Sequence, residues 1–227
     1  MIPQSVTDIY FDLDHTLWDF DANSNQAFAT LLAAAPFQVE LADFLKVYEP
    51  INAGYWSRYR MGEIDHDTLR YGRFESTLQA LEIGYQPQWI TEFAHGYLEE
   101  LPKHNLLIEG ADQLLRVLNP QFALHIITNG FTKVQLRKLE ASGIASFFTT
   151  VTDSESAGYK KPQAEIFLSA MQKNNVLPSK ALMVGDDLEA DVRGAQKAGM
   201  HAVLFDRYNQ FDAEATPRVQ TLTALSL

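Results

Sequence analysis

The sequence contains no cysteine, and this absence excludes disulfides and thiolate chemistry while fitting a reducing compartment. No stretch approaches the roughly 20 consecutive apolar residues that a transmembrane helix needs. The first residues show no basic segment followed by an apolar one, which is the pattern of a signal peptide. We therefore expect a cytoplasmic protein with no membrane partner.

Basic residues are also scarce, with 18 lysines and arginines against 29 aspartates and glutamates and a net charge of −11. This balance argues against a nucleic-acid polymer as partner, because binding a phosphate backbone needs a basic surface. A small phosphorylated substrate fits the charge if its site is locally positive or holds a metal. The sequence leaves the oligomeric state open.

The 227 residues are enough for one large domain or two small ones, and two kinds of segment are present. Between residues 19 and 101 apolar residues recur at helical spacing, which predicts a four-helix unit. An apolar strand precedes this unit, and strands alternate with helices after it, which predicts a doubly wound parallel sheet. We expect an α/β domain formed by residues 1–18 and 102–227, interrupted by the helical insertion. The predicted later strands are 122–128, 147–152, 180–186 and 201–206. A predicted helix at 110–118 precedes them, and predicted helices at 133–142, 164–174 and 189–199 lie between them.

Polar residues follow the predicted strands where ligands bind in doubly wound sheets, outside the carboxyl ends. Each group has a simple structural explanation, since aspartates favour turns and helix N-caps, "TNG" makes a good turn, and adjacent lysines are usually solvated. All of the groups nevertheless fall at one edge of one sheet, and their charges are complementary. The pattern therefore favours a functional site. Its residues are Asp12, Asp14, Thr128, Asn129, Gly130, Lys160, Lys161, Asp186, Asp187 and Asp191.

The sequence resembles the haloacid dehalogenase (HAD) superfamily in four motifs that occur in the family's order. They are "DLDHT" (12–16), the apolar strand ending at Thr128, Lys161 before Pro162, and "GDDLEAD" (185–191). The resemblance implies a Rossmann-like core and makes residues 19–101 a helical cap of the kind called C1. Further stretches are similar to one branch, the noncanonical pyrimidine nucleotidases. They include "GYWSRYRMGEI" and "RYGRFE" in the cap, and "IITNGFTKVQLRKLEASGI" and "KKPQAEIF" in the core.

The resemblance implies a Mg²⁺-dependent phosphatase in which Asp12 is the nucleophile and forms an aspartyl-phosphate. Asp14 would be the general acid and then the general base, and crowding of the carboxylates would help it to start protonated. Mg²⁺ would be held by Asp12, the Asp14 backbone carbonyl and Asp186.

The phosphate would be bound by Lys161, the Thr128 hydroxyl and backbone N–H groups near Leu13, Asp14 and Asn129. Asp191 would orient Lys161 or the surroundings of the metal, with Asp187 beside it. His15 is interpreted as a spacer, and Thr16 as a hydroxyl that stabilises the turn.

The resemblance points to nucleoside monophosphates, especially pyrimidine ones, as substrates. Recognition of base and sugar would fall to the cap, whose aromatic and basic residues also have a simple role in packing its helices. The alternatives are a phosphatase or phosphomutase for another small ester such as a sugar phosphate, a 2-haloacid dehalogenase, and a non-enzymatic phospho-acceptor domain. The candidate specificity residues are Trp56, Tyr59, Arg60, Arg73 and Phe74.

Overall fold

A computed structural model describes residues 2–211 and 217–225, and the chain divides into two compact units. The first unit is formed by the chain up to Phe20 and from Asn105 onward, and the second is formed by Asp21–His104. Their assignment as catalytic core and cap stays a prediction. In the described part of the chain, no helix has the length and apolar character needed to cross a membrane.

The first unit contains a six-stranded sheet in which every paired neighbour is parallel. The spatial order is β3-β2-β1-β4-β5-β6, so the chain builds outward from β1 in one direction and then in the other. Such a reversal opens a crevice at the carboxyl ends of β1 and β4. The predicted α/β parallel sheet is confirmed. The strands are β1 (Asp8–Phe11), β2 (Ala123–Thr128), β3 (Phe148–Asp153), β4 (Ala181–Gly185), β5 (His201–Phe205) and β6 (Arg218–Val219).

The central strands are mostly apolar, because helices cover both faces of a parallel sheet; Asp8 and His125 are the buried polar exceptions in β1 and the middle of β2. Every residue of β1 and β4 is buried. On one face, Tyr10 and Met183 pack against Phe167 and Val192, which come from helical segments later in the chain. The short strand β6 was not predicted, since two residues carry no readable periodicity.

The helices of the first unit follow the predicted alternation with one exception. The predicted helix 189–199 begins as a π-helical segment, in which the Asp187 carbonyl accepts hydrogen bonds from the amides of both Asp191 and Val192. Such wide turns occur often at functional sites. The bounds are α5 (Ala111–Leu118), α6 (Thr132–Ala141), α7 (Ser154–Ala157), α8 (Ala164–Lys173), the π-helical segment Leu188–Arg193 and α9 (Gly194–Lys197).

The second unit is helical and has an aromatic core. The Phe28 ring lies 4.7 Å from the Tyr48 ring and 4.6 Å from the Tyr97 ring, measured between centroids. Phe74 also contacts Phe28 and is 1% exposed. The first helix of this unit begins at Phe20, the last residue of the first segment of the first unit. The helices are α1 (Phe20–Ala34), α2 (Leu41–Arg60), α3 (His66–Ala80) and α4 (Pro87–Glu100), followed by a 3₁₀ turn at Leu101–Lys103.

The two segments of the first unit that flank the insertion pair with each other. The Asp19 amide donates to the Leu106 carbonyl at 3.0 Å, and the Ile108 amide donates to the Leu17 carbonyl at 2.9 Å. Trp18 forms an antiparallel bridge with Leu107 between these bonds. The chain therefore leaves the first unit and returns to it at adjacent points.

Candidate active site

The acid pair follows β1, which ends at Phe11 before either acid. Asp12 still extends the pairing, because its amide donates to the Val184 carbonyl of β4 at 2.9 Å. The residue is 8% exposed. Asp12 therefore lies at the crevice between β1 and β4.

A tight turn separates Asp14 from the strand. The Leu13 carbonyl accepts hydrogen bonds from the amides of Leu17 and Trp18, both at 2.9 Å. His15 has a φ of 63°, which is uncommon for a residue with a Cβ atom. The turn, rather than strand alternation, sets the direction of the Asp14 side chain.

Lys161 is buried between carboxylates. Its Nζ atom lies 2.5 Å from Asp12 Oδ1 and 2.6 Å from Asp191 Oδ1, and it donates to the Ile127 carbonyl at 2.9 Å. An ammonium has three N–H donors, so these contacts use all of them. The predicted neighbours Asp12, Lys161 and Asp191 thus lie together.

Burial has the largest single effect on the pKa values of Asp12, Lys161 and Asp191. It raises the pKa of the Asp12 carboxyl well above its usual range, and the positive charge of Lys161 opposes that shift. Burial alone would lower the pKa of Lys161, but the two carboxylates outweigh it and leave the pKa above its ordinary value. Burial likewise raises the pKa of Asp191. The single positive charge of Lys161 therefore does not fully offset the cost of burying the Asp12 and Asp191 carboxylates.

Asp186 completes an acidic cluster. Burial and the neighbouring Asp191 carboxylate raise the pKa of Asp186 to about 7, although the Thr16 hydroxyl donates to Asp186 Oδ1 at 3.0 Å. Oxygens of Asp12, Asp186 and Asp191 all lie within 4.8 Å of one another. Carboxylate oxygens at this separation suit a divalent cation such as Mg²⁺, whose charge would relieve their repulsion.

Asp187 has the structural role that the sequence offered as the simple alternative. Its Oδ1 accepts hydrogen bonds from the amides of Glu189 and Ala190, both at 2.9 Å, and so caps the π-helical segment. The Asp187 amide donates to Asp191 Oδ2 at 3.1 Å. Gly185 is required here because a Cβ atom at this position would overlap the Asp191 carboxylate.

The end of β2 is joined to the Lys161 loop by Asn129. Its Nδ2 donates to the Lys161 carbonyl at 3.0 Å, and its Oδ1 accepts from the Lys161 amide at 2.8 Å. Next to it, the Thr128 hydroxyl oxygen accepts from the Gly130 amide at 3.0 Å and from Gln135 Nε2 at 2.8 Å. With both lone pairs engaged, the hydroxyl proton of Thr128 is directed to another acceptor, such as a phosphate oxygen.

The Asp14 carboxylate is bound by two residues of α6 that sequence reasoning missed. Lys138 Nζ lies 2.5 Å from Asp14 Oδ1, and Gln135 Nε2 donates to Asp14 Oδ2 at 3.1 Å. Asp14 therefore contacts an ammonium and an amide from α6, and its expected role as an acid and base stays a prediction. The signal was present, since Lys138 falls four residues after the apolar Val134, on the buried stripe of the helix.

The five candidate specificity residues lie in the second unit. Tyr59, Arg73 and Phe74 are buried there, and the Trp56 ring lies edge-on to Tyr59 at 5.8 Å between centroids.

Arg73 has an unusual environment in that unit. Its Nη1 donates to Asn52 Oδ1 at 2.8 Å, and its guanidinium carbon lies 4.7 Å from the Phe74 ring centroid and 5.3 Å from that of Tyr97. Its Nε atom is buried and has no hydrogen-bond partner among the residues that the structure describes. Arg73 therefore combines a buried positive charge with an unsatisfied donor.

The chain is similar to known proteins along most of its length. The chain is 31% identical over 218 residues to the pyrimidine 5'-nucleotidase YjjG of Escherichia coli, covering 96% of this chain and 93% of that protein. It is 32% identical over 194 residues to the HAD-hydrolase YfnB of Bacillus subtilis, covering 85% and 80%. It is 30% identical over 226 residues to a ribulose-1,5-bisphosphate 5-phosphatase of Halopiger xanaduensis, covering 95% and 91%.

Structural and family comparisons extend this likeness to almost the whole chain. A crystal structure of YfnB bound to magnesium superimposes with a TM-score of 0.89 at 27% identity, covering 97% of this chain and 96% of that one. The family model for haloacid dehalogenase-like hydrolases matches residues 9–199. The chain, whose acidic residues gather at the strand ends, therefore belongs to the haloacid dehalogenase-like hydrolases.

Proposed function

We propose that this hydrolase is a Mg²⁺-dependent phosphatase that forms an aspartyl-phosphate on Asp12 and acts on nucleoside monophosphates, with pyrimidine nucleotides preferred. The observation that carries the proposal is the separate pairing of two acids two residues apart. Asp12 pairs with Lys161, and Asp14 pairs with Lys138. Two carboxyl groups in distinct environments are suited to two chemical roles.

Asp12 is the proposed nucleophile. Lys161 holds its Oδ1, which leaves Oδ2 to attack the phosphorus atom. The new O–P bond forms as the ester P–O bond breaks, and the electron pair goes to the leaving oxygen. The Asp14 carboxyl gives that oxygen its proton. The product alcohol, a nucleoside in the proposed case, is then released.

Asp14 then acts as a base in the second step. Its carboxylate takes a proton from water, and the water oxygen attacks the phosphorus of the aspartyl-phosphate. The bond to Asp12 breaks, which releases inorganic phosphate and restores both acids. Throughout, the positive charge of Lys161, whose three donors are engaged, and the Thr128 hydroxyl stabilise the negative phosphoryl oxygens.

The acidic cluster fits Mg²⁺ by its donor set and by its raised pKa values. Asp12, Asp186 and the Asp14 backbone carbonyl would hold the ion, and Asp191 adds a further carboxylate close to it. Bound Mg²⁺ supplies positive charge that lets a phosphate approach these acids. The magnesium in the YfnB structure supports this choice of metal.

The nucleotide preference rests on similarity to YjjG across most of the chain. A second substrate class, sugar phosphates, is favoured by comparable identity to the ribulose-1,5-bisphosphate 5-phosphatase. Dehalogenation fits less well, because a departing halide needs no proton and Asp14 would have no task. The decisive experiment is a magnesium-dependent phosphate-release screen over pyrimidine and purine nucleotides and sugar phosphates. Highest kcat/KM on a sugar phosphate would replace the nucleotidase proposal with the second class.

Removal of the metal should abolish phosphate release. Excess chelator should stop turnover, and added Mg²⁺ should restore it. Asp186→Ala should raise the Mg²⁺ concentration for half-maximal rate by at least about tenfold, since it removes a carboxylate from the cluster. Asp187→Asn is the matched control, because asparagine still caps the helix and should change this concentration little. Full activity in excess chelator would contradict the metal assignment.

Arg73 is the strongest of the five specificity candidates, because its buried Nε has no partner within the described part of the chain. Arg73→Met should lower nucleotide kcat/KM by about 10- to 100-fold, the worth of a hydrogen bond to a charged group. Hydrolysis of p-nitrophenyl phosphate should change much less. The melting temperature should hold, since replacing a buried charge by an apolar side chain is often neutral or stabilising.

The control for this experiment is Arg58→Met, which removes an arginine that is 50% exposed. The same kinetic and melting measurements on alanine variants would distinguish a role in substrate recognition from a role in packing the helices. The residues to replace are Trp56, Tyr59, Arg60 and Phe74. A lower melting temperature with unchanged preference among substrates would assign the residue to the helical core.

A further inference from the structure

The proposed hydrolysis leaves one buried lysine without a task. Lys138 of α6 is 2% exposed, although lysine is among the residues least often buried. Its Nζ atom lies 2.5 Å from Asp14 Oδ1 and 4.2 Å from the centroid of the Trp18 ring. Burying an ammonium is costly, so packing alone would favour an apolar residue at this position.

Gln135 is the second polar residue on the same buried stripe. It is 1% exposed, and its Nε2 atom donates both to Asp14 Oδ2 at 3.1 Å and to Thr128 Oγ1 at 2.8 Å. Gly130 leaves room for this side chain, because a Cβ atom there would overlap the Gln135 amide group. The amide thus joins Asp14 to the threonine at the end of β2.

We propose that Lys138 and Gln135 are positioning residues, which fix the Asp14 carboxylate through one donor on each oxygen; this inference rests on the acid and base roles proposed above. The two donors lie three residues apart on one helix, so they approach the carboxylate from the same side. Trp18, whose amide closes the turn that carries Asp14, places its ring centroid 4.2 Å from the ammonium. Rotation of the Asp14 side chain would break both contacts.

The consequence for the reaction depends on the leaving group. An alkoxide leaves only when it receives a proton, so cleavage of a nucleotide depends on the placement of Asp14. A p-nitrophenolate leaves without this help. Loss of the positioning residues should therefore affect nucleotides much more than aryl phosphates.

The experiment compares Lys138→Met with Lys133→Met, which removes an exposed lysine from the same helix. We expect Lys138→Met to lower kcat for a nucleoside monophosphate by about 100-fold, with KM changed less than about threefold. On p-nitrophenyl phosphate the loss should be less than about tenfold. Asp14→Asn is the reference, and it should show the same selectivity with a larger loss.

Gln135→Met keeps the length of the side chain and provides a second test if Lys138→Met folds poorly. It should show the same selective loss in kcat at an unchanged melting temperature. Equal losses on both substrates in every variant that folds, or kcat equal to that of Lys133→Met, would overturn the positioning role. Failure of the wild-type enzyme to release phosphate from any ester would instead refute the proposed function.

Discussion

Replacement of Asp12 by asparagine should lower phosphate release by roughly 10⁴- to 10⁶-fold, the scale seen when a catalytic nucleophile is removed. An amide oxygen does not form the acyl-phosphate, so both half-reactions stop. The protein should remain folded, because Lys161 keeps its contacts with Asp191 at 2.6 Å and with the Ile127 carbonyl at 2.9 Å. Steady-state kinetics and circular dichroism together test both statements.

The same strand supplies a matched control. Asp8 begins β1, is 9% exposed, and contacts His125 Nε2 at 3.0 Å, far from the carboxyl end where Asp12 lies. Asp8→Asn should leave kcat nearly unchanged while perturbing stability to a similar degree. Turnover by Asp12→Asn within tenfold of wild type would refute the nucleophile assignment.

Replacement of Lys161 by methionine should damage both stability and activity. The side chain keeps its length but loses the charge that faces Asp12 and Asp191, both of which are buried. Leaving buried charges uncompensated costs about 3–5 kcal/mol of unfolding free energy. Phosphate release should fall by about 10²- to 10³-fold, because a charge that stabilises the transition state is lost.

The stability loss from Lys161→Met should depend on pH in a defined direction. Burial already raises the pKa values of Asp12 and Asp191, and removal of the lysine takes away the main opposing influence. An acid whose pKa is higher in the folded state than in the unfolded state favours folding at low pH. That contribution is lost as pH rises through the folded-state pKa. Urea unfolding in chelator should therefore show a larger deficit at pH 8 than at pH 5.

A surface lysine provides the contrast. Lys197 contacts Glu189 at 3.4 Å but is 59% exposed, so Lys197→Met should cost no more than about 1 kcal/mol. Equal destabilisation by Lys161→Met and Lys197→Met, without dependence on pH, would contradict the account of the buried charge cluster.

The acids of the site were predictable because their positions follow from strand ends. Asp12 and Asp186 each come directly after an apolar run, and parallel strands bring those positions to one edge. The contacts of Lys161 with Asp12 and Asp191 could be anticipated only from the family resemblance. The turn at Leu13 could not be predicted, because its direction depends on backbone bonds to Leu17 and Trp18 rather than on a repeating pattern.

The partners of Asp14 were missed for a related reason. Lys138 and Gln135 lie more than 120 positions later in the chain, and a lysine in a helix is usually interpreted as solvent-exposed. The apolar stripe of α6 nevertheless includes both positions. A polar residue on a predicted buried stripe is therefore a useful signal of a functional contact, even when its partner is unknown.

The paired segments at Leu17–Asp19 and Leu106–Ile108 affect how the enzyme can diversify. Because the chain departs and returns at hydrogen-bonded neighbours, the core tolerates an insertion of almost any length at this junction with little added entropy of loop closure. Under the proposed assignment of recognition to the second unit, substrate recognition and phosphoryl transfer can then evolve on separate stretches of the gene. Exchange of residues 21–104 for the corresponding segment of a relative offers a direct route to a hydrolase with the same chemistry and a different substrate.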